Sequence, residues 1–345
     1  MSDLLLIRAD ATTQMGTGHV MRCLALAQAW RASGGEATFL QSSECAALAD
    51  RLAAESFQVV RQSVLPGSCD DGVRTSAQAR ALGAEWIVLD GYHFETAMHE
   101  SIRQAGHRFM QVDDMGAGDQ YVANVILNQN CHASEALYCN RTRDTELLLG
   151  TQYTLLRLEF LARQTSARSV PAKARKVLVT LGGSDSDNAT LKVVRALRQL
   201  NTRIEAKVLV GPANPYHGEL QRALDPTSSI ELVTSTVAMP KLMEWADIAI
   251  SGGGSTCWEL AFMGLPSLIL VLADNQAGVA HDMHRHGAAI NLGCHAAVHH
   301  GDIAEALGNL LDSHQKRSDM AAQGRQLVDG RGAQRVVRFL REGKR

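Results

Sequence analysis

Short apolar runs, each followed by a longer segment of helical period, alternate through the whole 345-residue chain. This alternation constrains the fold more than any other feature. Strands that read as near-continuous apolar runs are buried on both faces, and joining them in parallel requires helical crossovers that cover those faces. In the first half, strands are expected at Leu4 to Arg8, Ala37 to Gln41, Phe57 to Arg61, Trp86 to Asp90, Phe109 to Asp114 and Asn124 to Gln129. A second series begins at "KVLVTLGGSD" and continues at Glu205 to Val210, Ile230 to Val233, Asp247 to Ser251 and Ser267 to Leu272. The fold class is therefore α/β. The strongest helix, "HVMRCLALAQAWRAS", is expected to bury one face through Val20, Cys23, Leu24, Ala27 and Trp30.

Between the two series, "LARQTSARSVPAKARK" loses its apolar period and reads as an exposed linker. The expected organisation is a first Rossmann-like domain over 1–160, a linker over 161–175 and a second Rossmann-like domain over 176–330. A basic amphipathic helix over 331–345 follows, packed by Val336, Val337, Phe339 and Leu340. Two such domains facing a cleft would bring the C-terminal strand ends to one opening, where open α/β sheets bind ligands.

Bulk charge argues against several partner classes. Lys and Arg total 34 against 36 Asp and Glu, a formal net charge of −2 without long runs of either sign, so neither nucleic acid nor an anionic membrane is expected as a partner. "MSDLLLIRAD" lacks a basic leader, and the longest apolar stretches are too short to span a bilayer; a cytoplasmic location is expected. The seven cysteines are scattered and form no C-x-x-C pair, so they read as reduced thiols.

Four segments carry chemistry. In "RADATTQMGTGHVMRC", a glycine-bracketed turn opens a helix with His19 directly behind it. Positive charge is disfavoured at a helix N-terminus, so a neutral imidazole, the form a general base needs, is expected there. In "ISGGGSTCWELAFMGLP", a strand ends in Gly252, Gly253 and Gly254, and Ser255 and Thr256 open a helix. Glycines allow close backbone approach and a helix start offers N–H groups, together a seat for phosphate. Glu259 lies one turn further on, where a carboxylate can accept ribose hydroxyls. "TLGGSDSDNATL" is a second glycine turn, with Asp187, Asn188 or Thr190 available to cap the next helix. "LADNQAG" sets Asp274, Asn275 and Gln276 at a strand end, a group suited to sugar hydroxyls and acetamido groups. Tyr92, His93, Asp113 and Asp114 occupy other strand ends as candidate sugar contacts. Asp90, Asp113 and Asp114 lack compact metal-ligand spacing, and no metal is expected.

Taken together, "RADATTQMGTGHVMRCLALA", "VDDMG", "LLLGTQYTLLRLEF", "LGGSDSDN" and "SGGGSTCWELAFMGLPSLILVLADNQ" resemble the UDP-2,4-diacetamido-2,4,6-trideoxy-β-L-altropyranose hydrolases of pseudaminic acid biosynthesis. The resemblance runs from about Arg8 to Gln276 in the same order. It implies a glycosyltransferase-B-like fold that uses water as acceptor, with UDP as leaving group and neither cofactor nor metal. Carried onto this sequence, it implies catalytic roles for His19, Tyr92 and Asn275. It implies substrate contacts from Gly16, Gly18, Arg157, Gly183, Ser184, Gly252, Gly253, Gly254, Ser255, Thr256, Glu259, Asp274 and Gln276. The expected partner is a small-molecule UDP-sugar, and other enzymes of the same sugar pathway remain open as partners. The alternatives are a UDP-sugar-dependent glycosyltransferase of the same fold and a non-catalytic nucleotide-sugar binding protein.

Overall fold

The computed structural model describes residues 3–12, 16–43, 45–163, 168–183, 185–200, 202–211, 214–224, 229–234 and 239–343. It divides into two compact units, one formed by Met1–Leu158 with Gly330–Arg345, the other by Glu159–Asp329.

The first unit is built on strands β1 (Leu4–Ala9), β2 (Glu36–Gln41), β3 (Gln58–Arg61), β4 (Ala84–Asp90), β5 (Phe109–Val112), β6 (Val125–Asn128) and β7 (Glu146–Leu149). They form one sheet in the order β3-β2-β1-β4-β5-β6-β7, with every pair parallel. Because successive side chains point to opposite faces, Leu5, Ile7, Trp86 and Val88 enter one core while Leu6, Ile87 and Leu89 enter another. Both faces are therefore apolar, as the continuous runs demanded.

The helix Gly18–Ala32 departs from the one-face expectation, since His19, Arg22 and Gln28 are buried along with Val20 and Cys23 through Ala27. The sheet takes one side of it and the helix Gly332–Glu342 packs on another. That C-terminal helix buries Val336, Val337 and Leu340, and the carbonyl of Leu340 accepts a hydrogen bond from Trp86 Nε1 at 3.1 Å. It is thus an integral layer of the first unit, although 171 residues of the second unit precede it in sequence.

The second unit holds β8 (Lys176–Thr180), β9 (Glu205–Leu209), β10 (Ile230–Val233), β11 (Ile248–Gly252), β12 (Ser267–Val271) and β13 (Ile290–Cys294). Its parallel sheet runs β10-β9-β8-β11-β12-β13. Val177, Val179, Ile248, Ile250, Leu268 and Leu270 form its core.

The segment read as an exposed linker keeps Ser169, Ala172, Lys173 and Arg175 exposed where it is described. Residues 168–175 fasten onto the second unit: Arg317, fully buried, donates to the carbonyls of Pro171 and Ala172 at 2.8 and 3.1 Å, and Arg168 donates to the carbonyl of Met243 at 2.8 Å. Ser, Arg and Pro lower the apolar period here, but the segment is held through its backbone carbonyls, which leave no mark on composition. Among the described residues, no helix is long and apolar enough to cross a membrane. All seven cysteines are free thiols.

Candidate active site

In an open parallel sheet, ligands bind beyond the carboxyl ends of the strands, where the strand order reverses. In the first unit that point lies between β1 and β4, and in the second between β8 and β11. The candidate residues gather at these two places.

At the first, the loop leaving β1 leads to Gly16, whose φ of +77° favours glycine and whose N–H donates to the carbonyl of Thr12 at 2.8 Å. Gly18 starts the helix, and His19 is its second residue. β4 ends on Asp90, whose Oδ1 lies 2.6 Å from His19 Nδ1. Arg22 faces the same carboxylate, donating from Nε and Nη2 at 2.6 and 2.7 Å. The buried thiol of Cys23 adds a contact at 3.3 Å. Burial alone would raise the pKa of Asp90; the charge of Arg22 and the contact with His19 outweigh it and hold the group well below the usual carboxylate range. Asp90 is therefore an acceptor only, so Nδ1 carries the proton in their bond, and a neutral His19 presents Nε2 as its basic atom.

Tyr92 is half exposed and sets its ring edge-on to His19, with centroids 4.7 Å apart. Its hydroxyl donates to Asp114 Oδ2 at 3.0 Å, an oxygen that also receives Arg22 Nη1 at 2.7 Å. Asn130 Nδ2 donates to the other oxygen at 3.0 Å. Asp113 instead caps its own turn, accepting from the backbone N–H groups of Met115 and Gly116 at 2.7 and 3.0 Å. The three carboxylates considered as metal ligands thus face a guanidinium or backbone donors. Among the described residues, no group of three His, Cys, Asp or Glu side chains is arranged to hold a metal ion. His93 Nε2 lies 3.5 Å from Asp10 Oδ2, away from this network. Arg157 is buried near the end of the unit's first segment.

At the second place, β11 ends in Gly252, and after Gly253, Gly254 and Ser255 the helix Thr256–Phe262 begins, with Glu259 half-buried on it. Ser255 stands at the N-cap position with no side-chain capping bond. Next to it, Asp274, Asn275 and Gln276 form a single 3₁₀ turn after β12; Asp274 and Asn275 are exposed. Gln276 turns its side-chain oxygen onto the glycine turn. Its Oε1 accepts the N–H groups of Gly253 at 2.8 Å and Leu272 at 3.1 Å, so one expected phosphate donor is engaged within the protein. A Cβ on Gly253 would lie 2.9 Å from Gln276 Cβ, which is why the middle glycine is needed. The N–H groups that open the helix, from Gly254 onward, are the ones placed for an anion.

The loop after β8 carries Gly183, which is exposed. Ser184 lies outside the described residues. The helix that follows is capped by Asp185, not by Asp187, Asn188 or Thr190: its carboxylate accepts from the N–H groups of Ala189 and Thr190 at 2.8 and 3.0 Å. Asn188 adopts a left-handed conformation at φ +52° and reaches Glu219 instead, while Asp187 pairs with His295 at 3.2 Å.

Sequence reasoning missed Arg22, Asn130 and the role of Asp90. A signal existed for two of them, since Arg22 is three positions after His19 on one helix and Asp90 closes an apolar strand. Their convergence on one point is a property of the sheet order.

Comparison with known proteins gives a consistent picture of the fold. Residues 177–335 match the model of the glycosyltransferase family 28 C-terminal domain. The protein MJ1062 of Methanocaldococcus jannaschii is 24% identical over 272 residues, 76% of this chain and 54% of that protein. The spore coat polysaccharide biosynthesis protein SpsG of Bacillus subtilis is 28% identical over 201 residues, 58% of this chain and 59% of SpsG. The chain thus spans little more than half the length of these two relatives. The UDP-2,4-diacetamido-2,4,6-trideoxy-β-L-altropyranose hydrolase of Campylobacter jejuni is 22% identical over 278 residues, covering 80% of this chain and 94% of that enzyme. Among solved structures, Acinetobacter baumannii MurG aligns over 98% of this chain and 99% of its own, with a TM-score of 0.68 at 16% identity. The MnaA–UDP complex of S. aureus aligns over 99% of this chain and 97% of its own, with a TM-score of 0.73 at 12% identity. The fold is therefore glycosyltransferase-B-like: two α/β units, each on a parallel sheet.

Proposed function

We propose that the protein is a hydrolase that cleaves the anomeric C–O bond of a UDP-linked 2,4-diacetamido-2,4,6-trideoxy sugar, releasing UDP and the free sugar, within pseudaminic acid biosynthesis. The observation that carries this reading is the His19–Asp90 pair, 2.6 Å apart at the reversal point of the first sheet. A histidine whose Nδ1 proton is committed to a carboxylate offers Nε2 to a water molecule. In the proposed reaction that water attacks the anomeric carbon, its proton passes to Nε2, and the electron pair of the breaking C–O bond leaves with UDP, inverting the centre. Asp90 keeps the ring in register and Tyr92, edge-on to it, borders the reacting sugar. The second unit holds the leaving group: N–H groups from Gly254 to Thr256 face the diphosphate and Glu259 accepts the ribose hydroxyls. Asn275 and Asp274 serve the acetamido and hydroxyl groups, while Gln276 braces the glycine turn. Similarity to the Campylobacter enzyme over most of both chains supports the choice of substrate.

A glycosyltransferase is the second reading, favoured by the family 28 match over 177–335. One assay separates them. Purified protein is incubated with a panel of UDP-linked amino sugars in ¹⁸O-water, with chelator and without any acceptor. The hydrolase releases UDP from the diacetamido substrate, places label on the sugar alone and first forms the inverted anomer. No UDP release without an acceptor would transfer the argument to the second reading, label in UDP would reject attack at carbon, and activity lost to chelator and restored by Mg²⁺ would reject the metal-free site.

A further inference from the structure

Arg22 joins the two halves of the cluster through hydrogen bonds, beside the edge-on ring contact of His19 with Tyr92. Its Nε and Nη2 hold both oxygens of Asp90, and its Nη1 holds Asp114. Asp90 in turn engages His19, and Asp114 engages the Tyr92 hydroxyl. The guanidinium is itself buried, and three donors in a fixed planar fork serve two carboxylates from different strand ends. A lysine in its place would present a single point of charge and could not set both.

We propose that Arg22 is a positioning residue that makes His19 and Tyr92 one unit, by holding Asp90 against the imidazole and Asp114 against the phenol. The proposal deepens the hydrolase reading and rests on it for the role of His19 as base. A purely structural Arg22 would neutralise buried carboxylates and affect only stability. A positioning Arg22 also stands against His19 itself, its Nη2 3.2 Å from His19 Nδ1. Arg22 from its own helix, Asp90 from the end of β4 and Tyr92 from the loop beyond it face this ring, and one contact further lie Cys23 on Asp90 and Asp114 on Arg22. Of these, Cys23 is neutral, its thiol pushed well up by burial and by Asp90. Removing the guanidinium leaves two carboxylates to stabilise an imidazolium; removing Asp114 does the reverse.

The test uses the full chain with ¹³C-labelled histidine, titrated by NMR without substrate, alongside turnover as a function of pH. Arg22→Met is expected to raise the His19 midpoint, move the acid limb of the rate profile with it and lower kcat at least roughly ten-fold. Asp114→Asn is expected to lower the midpoint. Arg22→Lys is expected to keep the midpoint near that of the wild type while recovering only part of kcat, since charge returns without the fork. Thermal unfolding establishes that each variant is folded; if Arg22→Met is not, the lowered midpoint of Asp114→Asn and the reduced kcat of Arg22→Lys at an unmoved midpoint decide. A midpoint unchanged in folded Arg22→Met or in Asp114→Asn, or a wild-type kcat in Arg22→Lys, would overturn the proposal. Because the titration needs no substrate, shifted midpoints with no UDP-sugar turned over would defeat the functional reading and leave the Arg22 coupling standing.

Discussion

The two units share one plan and furnish it with opposite kinds of groups. Both sheets place their first strand beside their fourth, so in each the chain reverses direction between them and leaves a crevice at the carboxyl ends. At that crevice the first unit gathers ionisable side chains, His19, Arg22, Asp90 and Asp114, cross-bonded at 2.6 to 2.7 Å. The second unit offers glycines, a helix start and a brace, Gln276 on Gly253. A proton acceptor must be a side chain fixed in direction and charge state, which takes a buried network. A diphosphate needs several N–H groups at close range, which takes bare backbone. One topology serves both because its reversal point is a location and not a chemistry.

The sharpest way to break this division is His19→Gln. It is expected to lower kcat by roughly 10² or more while leaving UDP affinity within a few-fold, because only the basic nitrogen is lost. Steady-state kinetics beside UDP calorimetry would read it, and near wild-type kcat would remove the first unit from the chemistry. The mirror experiment is Glu259→Ala in the second unit. A loss of about 1 to 3 kcal/mol in UDP binding is expected from the missing ribose hydrogen bonds. Unchanged affinity would place the nucleotide elsewhere.

The smallest effect concerns stability. His99, buried in the first unit against Phe109, has its pKa pushed down to about 4 by burial. The unfolded chain takes up this proton near pH 6.5 and the folded chain does not, so stability is full above that pH and falls as pH drops toward 4. Denaturant unfolding should show the first unit losing about 1 to 2 kcal/mol through this group between pH 7 and pH 5, and His99→Phe should flatten that part of the slope. A slope equally steep in the variant would assign the acid sensitivity to other groups.

Strands with two buried faces were legible because they are uninterrupted apolar runs: β1, β4, β8 and β12 begin and end close to where the sequence places them. β7 and β13 were not placed; both are edge strands with half-exposed residues, as β3 and β10 are too, and β13 is further broken by Gly293 at φ +94°. The helix Gly18–Ala32 read as one-faced because the sequence does not say that the helix Gly332–Glu342 covers it.

Local periodicity and spacing alone determined the α/β class, the parallel order it requires, the glycine turns and the position of His19 behind one of them, because these are set by residues near one another in the chain. Only the tertiary structure decided that Asp90 lies against His19, that Arg22 serves two carboxylates 24 positions apart, and that Gln276 Oε1 accepts from Gly253. Each of these depends on which strand ends become neighbours, and that order is fixed by burying both faces of a sheet at once, a property of the whole chain that no single stretch of it carries.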